Sequence, residues 1–164
     1  MIVVGIDPGL DGAVAILSKE GKVLAVNDSP SFETKTGKSK RREHDCKGMA
    51  DILNVVLPGP SKVHVFLEKV ASMPKQGVRS TFTFGQGYGI WLGIIAAFGY
   101  RHELVRPQTW KGQMMKGQPK EKDAARLVAQ QMFPEVELHL KKHGGRADAL
   151  LIAEYGRRVL HGGL

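Results

Sequence analysis

Residues 2–17 read IVVGIDPGLDGAVAIL, two apolar runs separated by Asp7-Pro8-Gly9 and Asp11-Gly12. Ile2 to Asp7 is the β-rich kind of run that suits a central strand, and Pro8, Gly9, Asp11 and Gly12 punctuate it before a second strand, Ala13 to Leu17. Glu20-Gly21 reads as a tight turn and Lys22 to Asn27 as a third strand. Connections this short join antiparallel neighbours, so the three segments predict a meander.

Working outward, Ser29 to Lys47 carries Lys35, Lys38, Lys40, Arg41, Arg42 and Lys47 among Ser, Thr and Gly. It reads as a solvated loop, either one that orders against a phosphate backbone or an ordinary mobile one. A helix is predicted from about Asp45 to Val56, with Met49, Ile52, Leu53 and Val56 towards the core and Pro58 ending it. Val63 to Glu68 is a second apolar strand that terminates in a carboxylate, as Ile2 to Asp7 does. Thr83 to Phe98 holds Gly85, Gly87, Gly89 and Gly93 and reads as a glycine-rich approach followed by a closely packed helix. Leu104 to Arg106 makes a short strand broken by Pro107, Lys120 to Phe133 a helix stopped by Pro134, and Arg146 to Leu160 a last helix after Gly144-Gly145. The sum is an α/β fold, a mixed sheet with helices on its faces.

A chain of 164 residues buries about two thirds of the surface its unfolded form exposes, enough for one core, so residues 1–164 are expected to form a single domain. Its 24 Lys and Arg against 16 Asp and Glu favour a polyanionic partner, nucleic acid before a merely basic surface. The single cysteine, Cys46, excludes an intrachain disulfide and a thiolate metal cluster, and fits a reducing, intracellular setting. Met1 to Gly5 lacks a signal core and no apolar run reaches about 18 residues, so neither secretion nor a membrane span is expected.

The chemistry is carried by acids at element ends. Asp7 and Glu68 each close a buried strand, and Asp148 lies just inside the last helix, where amide dipoles favour its ionised form. Each has a plainer reading alone: Asp7 as a turn cap, Glu68 paired with Lys69 or Lys111, Asp148 as a helix-start acid. Brought together, three carboxylates repel one another, and a divalent cation satisfies them; oxygen-only ligands suit magnesium or manganese.

Gly5-Ile6-Asp7-Pro8-Gly9, Leu67-Glu68-Lys69-Val70, Gly85-Gln86-Gly87-Tyr88-Gly89-Ile90-Trp91 and Ala147-Asp148-Ala149-Leu150-Leu151-Ile152-Ala153 occur in that order across nearly the whole chain. As a set they resemble the RuvC-type Holliday junction resolvases of the ribonuclease H-like superfamily, with phage and organellar members; the run from Phe84 to Trp91 is closer to the organellar branch. The resemblance implies a ribonuclease H-like mixed β-sheet with helices packed on both faces, and a homodimer that cuts a four-way DNA junction with paired nicks, leaving 5′-phosphate and 3′-hydroxyl ends. It implies Mg²⁺, with Mn²⁺ as a substitute, held by Asp7, Glu68 and Asp148. Localisation would be intracellular, cytoplasmic or nucleoid, or of phage or organellar origin.

Family members often carry Asp or His three residues before the final carboxylate, where this chain has Gly145; His143 is the nearest substitute ligand. Lys111 and Lys122 stand at positions resembling the active-side lysines, with surface solubilisation as the alternative. Lys38, Lys40, Arg41, Arg42, Lys75, Arg79, Lys116 and Lys120 are candidates for the DNA backbone. Phe82 and Phe84 are candidate wedges at the junction centre, and Tyr88 contacts bases or packs the core or a dimer face. An actin-like kinase or ATPase is set aside because the chain lacks length for a second nucleotide-binding half and a Walker motif. A ribonuclease H-like or transposase-like nuclease and a noncatalytic branched-DNA-binding module stand as rivals.

Overall fold

The computed structural model describes residues 1–164 apart from Lys38, Leu57, Pro58, Val70, 72–76, Pro119, Lys120, Lys122 and Leu164. Among the described residues, seven strands and five α-helices follow in the order β1 (Ile2–Asp7), β2 (Ala13–Ser18), β3 (Val23–Asp28), β4 (Ser31–Thr36), β5 (Ser39–His44), α1 (Cys46–Val56), β6 (Val63–Glu68), α2 (Val78–Ala97), β7 (Arg101–Val105), α3 (Pro107–Met114), α4 (Ala124–Met132) and α5 (Gly144–His161). The main sheet has the strand order β3-β2-β1-β6-β7. The predicted meander is there, β1 with β2 and β2 with β3 antiparallel, while β6 and β7 join on the other side in parallel. This is the mixed sheet expected from the sequence.

Period-two alternation divides the core between the two faces of the sheet. Val3, Ala13, Ala15, Leu17 and Phe66 pack with residues of α3, α4 and α5, whereas Val4, Ile6, Val14, Ile16, Val65 and Leu67 pack with Met49 and Leu53 of α1 and Trp91 and Ile95 of α2. Helices therefore cover both faces. The same alternation aims the strand-end acids: Ile6 and Leu67, paired in register, point towards α1 and α2, so Asp7 and Glu68, one residue on, point together towards α3 and α5.

Helix α5 lies directly on β1 because Gly5 has no side chain. A Cβ on Gly5 would come within 2.3 Å of the Ala149 carbonyl oxygen and 2.4 Å of the Ala153 nitrogen. Arg146 then ties the start of α5 to the end of β3 through Asp28, at 2.6 and 2.8 Å.

Three expectations are corrected. Residues 31–44 form an antiparallel ribbon, not a loop; Gly37 turns at φ 62°, and opposite charges meet across the strands, as in Lys40 with Glu33 at 3.4 Å. A two-stranded ribbon is marginal by itself, and this one is anchored by Arg42, which donates to Asp11 and to the Leu10 carbonyl. Helix α2 starts at Val78 and contains all four glycines, of which only Gly87 meets a close neighbour, Pro8 and the His44 ring; Gly85, Gly89 and Gly93 face open space. Pro107 begins a helix where a break was expected, since proline suits the first helical position. Helix α4 begins at Ala124, and the expected Lys120 start lies outside the described residues. No described helix is long and apolar enough to cross a membrane.

Candidate active site

The three acids reach one edge from three elements. Asp7 closes β1 and accepts a hydrogen bond from the Gly9 amide at 3.0 Å, so it also caps the turn. Glu68 closes β6, is buried, and accepts from the indole Nε1 of Trp110 at 2.9 Å. Asp148 stands on the first turns of α5, with Lys111 Nζ of α3 at 3.7 Å from its carboxylate. Lys111 therefore pairs with Asp148, while Glu68 takes an indole donor that the sequence pattern does not single out.

Their electrostatics show that the acids feel one another. Burial, then the charges of Glu68 and Asp148, push Asp7 up to about 7 against the hydrogen bond from Gly9. Burial likewise raises Glu68, with Asp148 adding to the rise and Trp110 opposing it, and raises Asp148 against the pull of Lys111. Asp148 therefore stands above its ordinary value despite its place at the start of a helix, because burial raises it.

The other sequence candidates are distributed unevenly. His143 is buried away from the acids: its Nδ1 accepts from the Leu140 amide, His139 lies edge-on at 5.6 Å, and its charged neighbours are Arg146, Glu137, Lys142 and His139. The structure does not bring it to Asp7, Glu68 or Asp148. Gly145 explains why no side chain replaces it, since a Cβ there would lie 2.0 Å from the Asp11 carbonyl oxygen and 2.7 Å from Gly12 Cα.

Lys40, Arg41, Arg42 and Arg79 line a hollow of about 410 Å³ between the ribbon and α2, with Phe84 in its wall. Of these, Arg42 is committed to Asp11, Leu10 and Ser31. Phe82 is 71% exposed, whereas Phe84 packs beside Gly9 and Tyr88 packs against the core. A second cavity, of about 700 Å³, opens beside Lys111 and Asp148. Lys116 is exposed beyond α3; Lys38, Lys75, Lys120 and Lys122 lie outside the described residues.

Among the described residues no three His, Cys, Asp or Glu side chains stand close enough, as they lie, to surround an ion. The chemistry of the set nonetheless fits a hard divalent cation. The set holds three carboxylates without thiolate or imidazole; Glu68 and Asp148 raise the proton affinity of Asp7, Asp148 raises that of Glu68, and a cation relieves that repulsion.

The raised acids have a measurable consequence for the metal-free protein. Between the ordinary value of 3.8 and about 7, native Asp7 binds a proton that the unfolded chain does not, so stability increases as pH falls through that window. Glu68 and Asp148 act in the same direction. Asp28 and Glu154, held below their ordinary values by Arg146 and by Arg157 and Arg158, act in the opposite direction only in stronger acid, whereas His44 and His143, lowered by burial, oppose the rise once pH falls below their ordinary 6.5. In EDTA the thermal midpoint is expected to rise by a few degrees, about 2–4 °C per kcal/mol, from pH 8 to about pH 6.5, before His44 and His143 begin to oppose it. Millimolar Mg²⁺ at pH 8 should also raise it. A midpoint that falls steadily over this range contradicts the assigned burial of the acids.

No protein-family model matches the chain. Over 98 residues it is 32% identical to the chloroplastic Holliday junction resolvase MOC1 of Chlamydomonas reinhardtii, a match covering 58% of this chain and 11% of that protein. The chain thus spans only a small part of that curated relative. In structure it resembles Thermus thermophilus RuvC in complex with a Holliday junction substrate, at 18% identity and a TM-score of 0.64, covering 99% of this chain and 98% of that one. The Thermus thermophilus RuvC structure matches over the same shares with a TM-score of 0.63. The ribonuclease H-like, RuvC-type fold implied by the motifs is borne out, as is the resemblance to an organellar resolvase.

Proposed function

We propose that this chain is a structure-selective DNA endonuclease that resolves four-way junctions by paired hydrolysis, leaving 5′-phosphate and 3′-hydroxyl ends. Residues 1–164 act as a single nuclease domain, and a homodimer supplies the two sites that paired nicks require. The observation that carries this reading is the meeting of Asp7, Glu68 and Asp148 from β1, β6 and α5 at one edge, with Lys111 beside them. The 32% identical organellar resolvase and the RuvC-type fold support the junction as substrate.

Asp7, Glu68 and Asp148 would hold Mg²⁺ or Mn²⁺, which supplies Lewis acidity towards the scissile phosphate. Lys111, its side chain 45% exposed while adjoining Asp148, presents positive charge where negative charge develops on the phosphate. Arg41 and Arg79 in the ribbon hollow bind backbone phosphates, with Lys40 beside them. Phe82, exposed on α2, is the better placed of the two wedge candidates because Phe84 is packed beside Gly9.

Labelled four-way junction, linear duplex, fork and RNA:DNA hybrid, compared with Mg²⁺ or Mn²⁺, test the assignment. The junction should be cut symmetrically and in clear preference to the other three. Preferential cutting of the RNA strand moves the assignment to a ribonuclease H, and binding of the junction with no cutting at all moves it to a branched-DNA-binding module.

A further inference from the structure

Two tryptophans are wholly buried, one on each side of the sheet: Trp91 of α2 and Trp110 of α3. An indole N–H is a donor only, and a buried donor left unmatched is costly. The Nε1 of Trp91 has no partner among the described residues. That of Trp110 is directed at Glu68 Oε1, 2.9 Å away. The following residue reaches the same edge from solvent: Lys111 Nζ lies 4.9 Å from the centroid of the Trp110 ring and 3.7 Å from Asp148. Two consecutive residues of one short helix thus address two of the three acids, one from inside the core and one from outside.

Close packing on every side of Trp110 holds its ring in place, so its N–H is a fixed point rather than an adaptable one. Glu68 has more side-chain freedom than Asp7 or Asp148, because its carboxylate is one carbon further from the backbone. We propose that Trp110 is a positioning residue of the acid edge: its indole N–H fixes the Glu68 carboxylate in the orientation in which it shares a divalent cation with Asp7 and Asp148. The proposal rests on the reading of those three acids as a cation site. It assigns Trp110 a role beyond filling the core, the role that outer hydrogen-bond partners play for metal ligands generally.

The test replaces Trp110 with 3-benzothienylalanine, which keeps the bicyclic shape and substitutes sulfur for the N–H. Mn²⁺ affinity is read by calorimetry on the full chain without DNA, together with the thermal midpoint in EDTA and the kcat and KM for junction cleavage. Trp91→Phe is the control, because it loosens the opposite face of the core where the indole N–H has no partner. The benzothienyl variant should keep its KM, lose a few degrees of midpoint because Glu68 Oε1 is left without its buried donor, bind Mn²⁺ about tenfold more weakly and lose kcat by a similar factor. Trp91→Phe should lose stability and keep its Mn²⁺ affinity. Unchanged Mn²⁺ affinity in the benzothienyl variant overturns the proposal, as does an equal weakening in Trp91→Phe. If Glu68→Gln loses Mn²⁺ while the benzothienyl variant retains it, only the role of Trp110 fails. If the parent chain binds no Mn²⁺, the cation site itself fails.

Discussion

On the proposed junction-cutting activity, Asp7→Asn is expected to bind a four-way junction as tightly as the parent chain and to cut it slower by a factor of the order of a hundred or more. The substitution is close to isosteric, and its side-chain carbonyl still accepts the Gly9 amide that Asp7 now holds at 3.0 Å. The turn after β1, the ribbon anchored beside it and the basic hollow should therefore be unchanged. What disappears is negative charge at a place where the protein holds it at a cost, since burial and the neighbouring acids push Asp7 up to about 7. The metal-free variant should consequently be more stable than the parent at pH 8, with a weaker rise in midpoint on acidification. Greater stability with lost activity is the signature of a functional group, because a carboxylate kept only for folding gives the opposite sign. Cleavage of labelled junction, gel retardation in EDTA and a thermal melt read the three quantities. Cutting at the parent rate by the variant sinks the site.

Much of the fold was legible because the first 28 residues are locally consistent. Apolar strands, Pro-Gly punctuation and short connections all call for the same meander, and β1 to β3 fall within a residue or so of the expected bounds. The acids were legible for a related reason: Asp7 and Glu68 end buried strands, and the period of two then sends both to one face. The ribbon was not legible because its strands are polar on both faces and carry no alternating apolar signal. It is held by cross-strand hydrogen bonds with one ion pair, Lys40 to Glu33, and by Arg42 reaching back to Asp11, a contact 31 residues away in sequence.

Helix α3 was lost for a different reason. Pro107 marks either a break or the first turn of a helix, and only the residues after it decide between them. The signal lay in Trp110, a large apolar residue one turn into the segment, and with it went the indole donor to Glu68. The sign of the shift at Asp148 was misjudged because helix position is visible in a sequence whereas burial is not. Burial is the largest cause of the rise at Asp148, with Lys111 opposing it.

Restoring the familiar acid at position 145 should damage the protein rather than complete it. Gly144 and Gly145 are adjacent and look equivalent in the sequence, yet a Cβ on Gly144 meets nothing within 4 Å, while one on Gly145 would lie 2.0 Å from the Asp11 carbonyl oxygen. The obstacle is backbone of the turn between β1 and β2, which cannot rotate aside as a side chain can. Gly145→Asp is therefore expected to cost about 3 kcal/mol or more, an overpacking penalty at the upper end of the usual range. In a chain of this size that lowers the thermal midpoint by roughly 6–12 °C. Gly144→Ala should leave the midpoint unchanged or slightly raised, since alanine is the better helix former. Mn²⁺ affinity, measured beside the melts, should be no tighter in Gly145→Asp than in the parent. A stable Gly145→Asp chain with tighter Mn²⁺ binding would mean that a fourth side-chain ligand fits after all. The predicted loss instead ties two features to one cause: the first turn of α5 sits close enough on the β1–β2 turn to bring Asp148 to Asp7 only because position 145 has no side chain. The close approach that assembles three acids is what excludes the fourth.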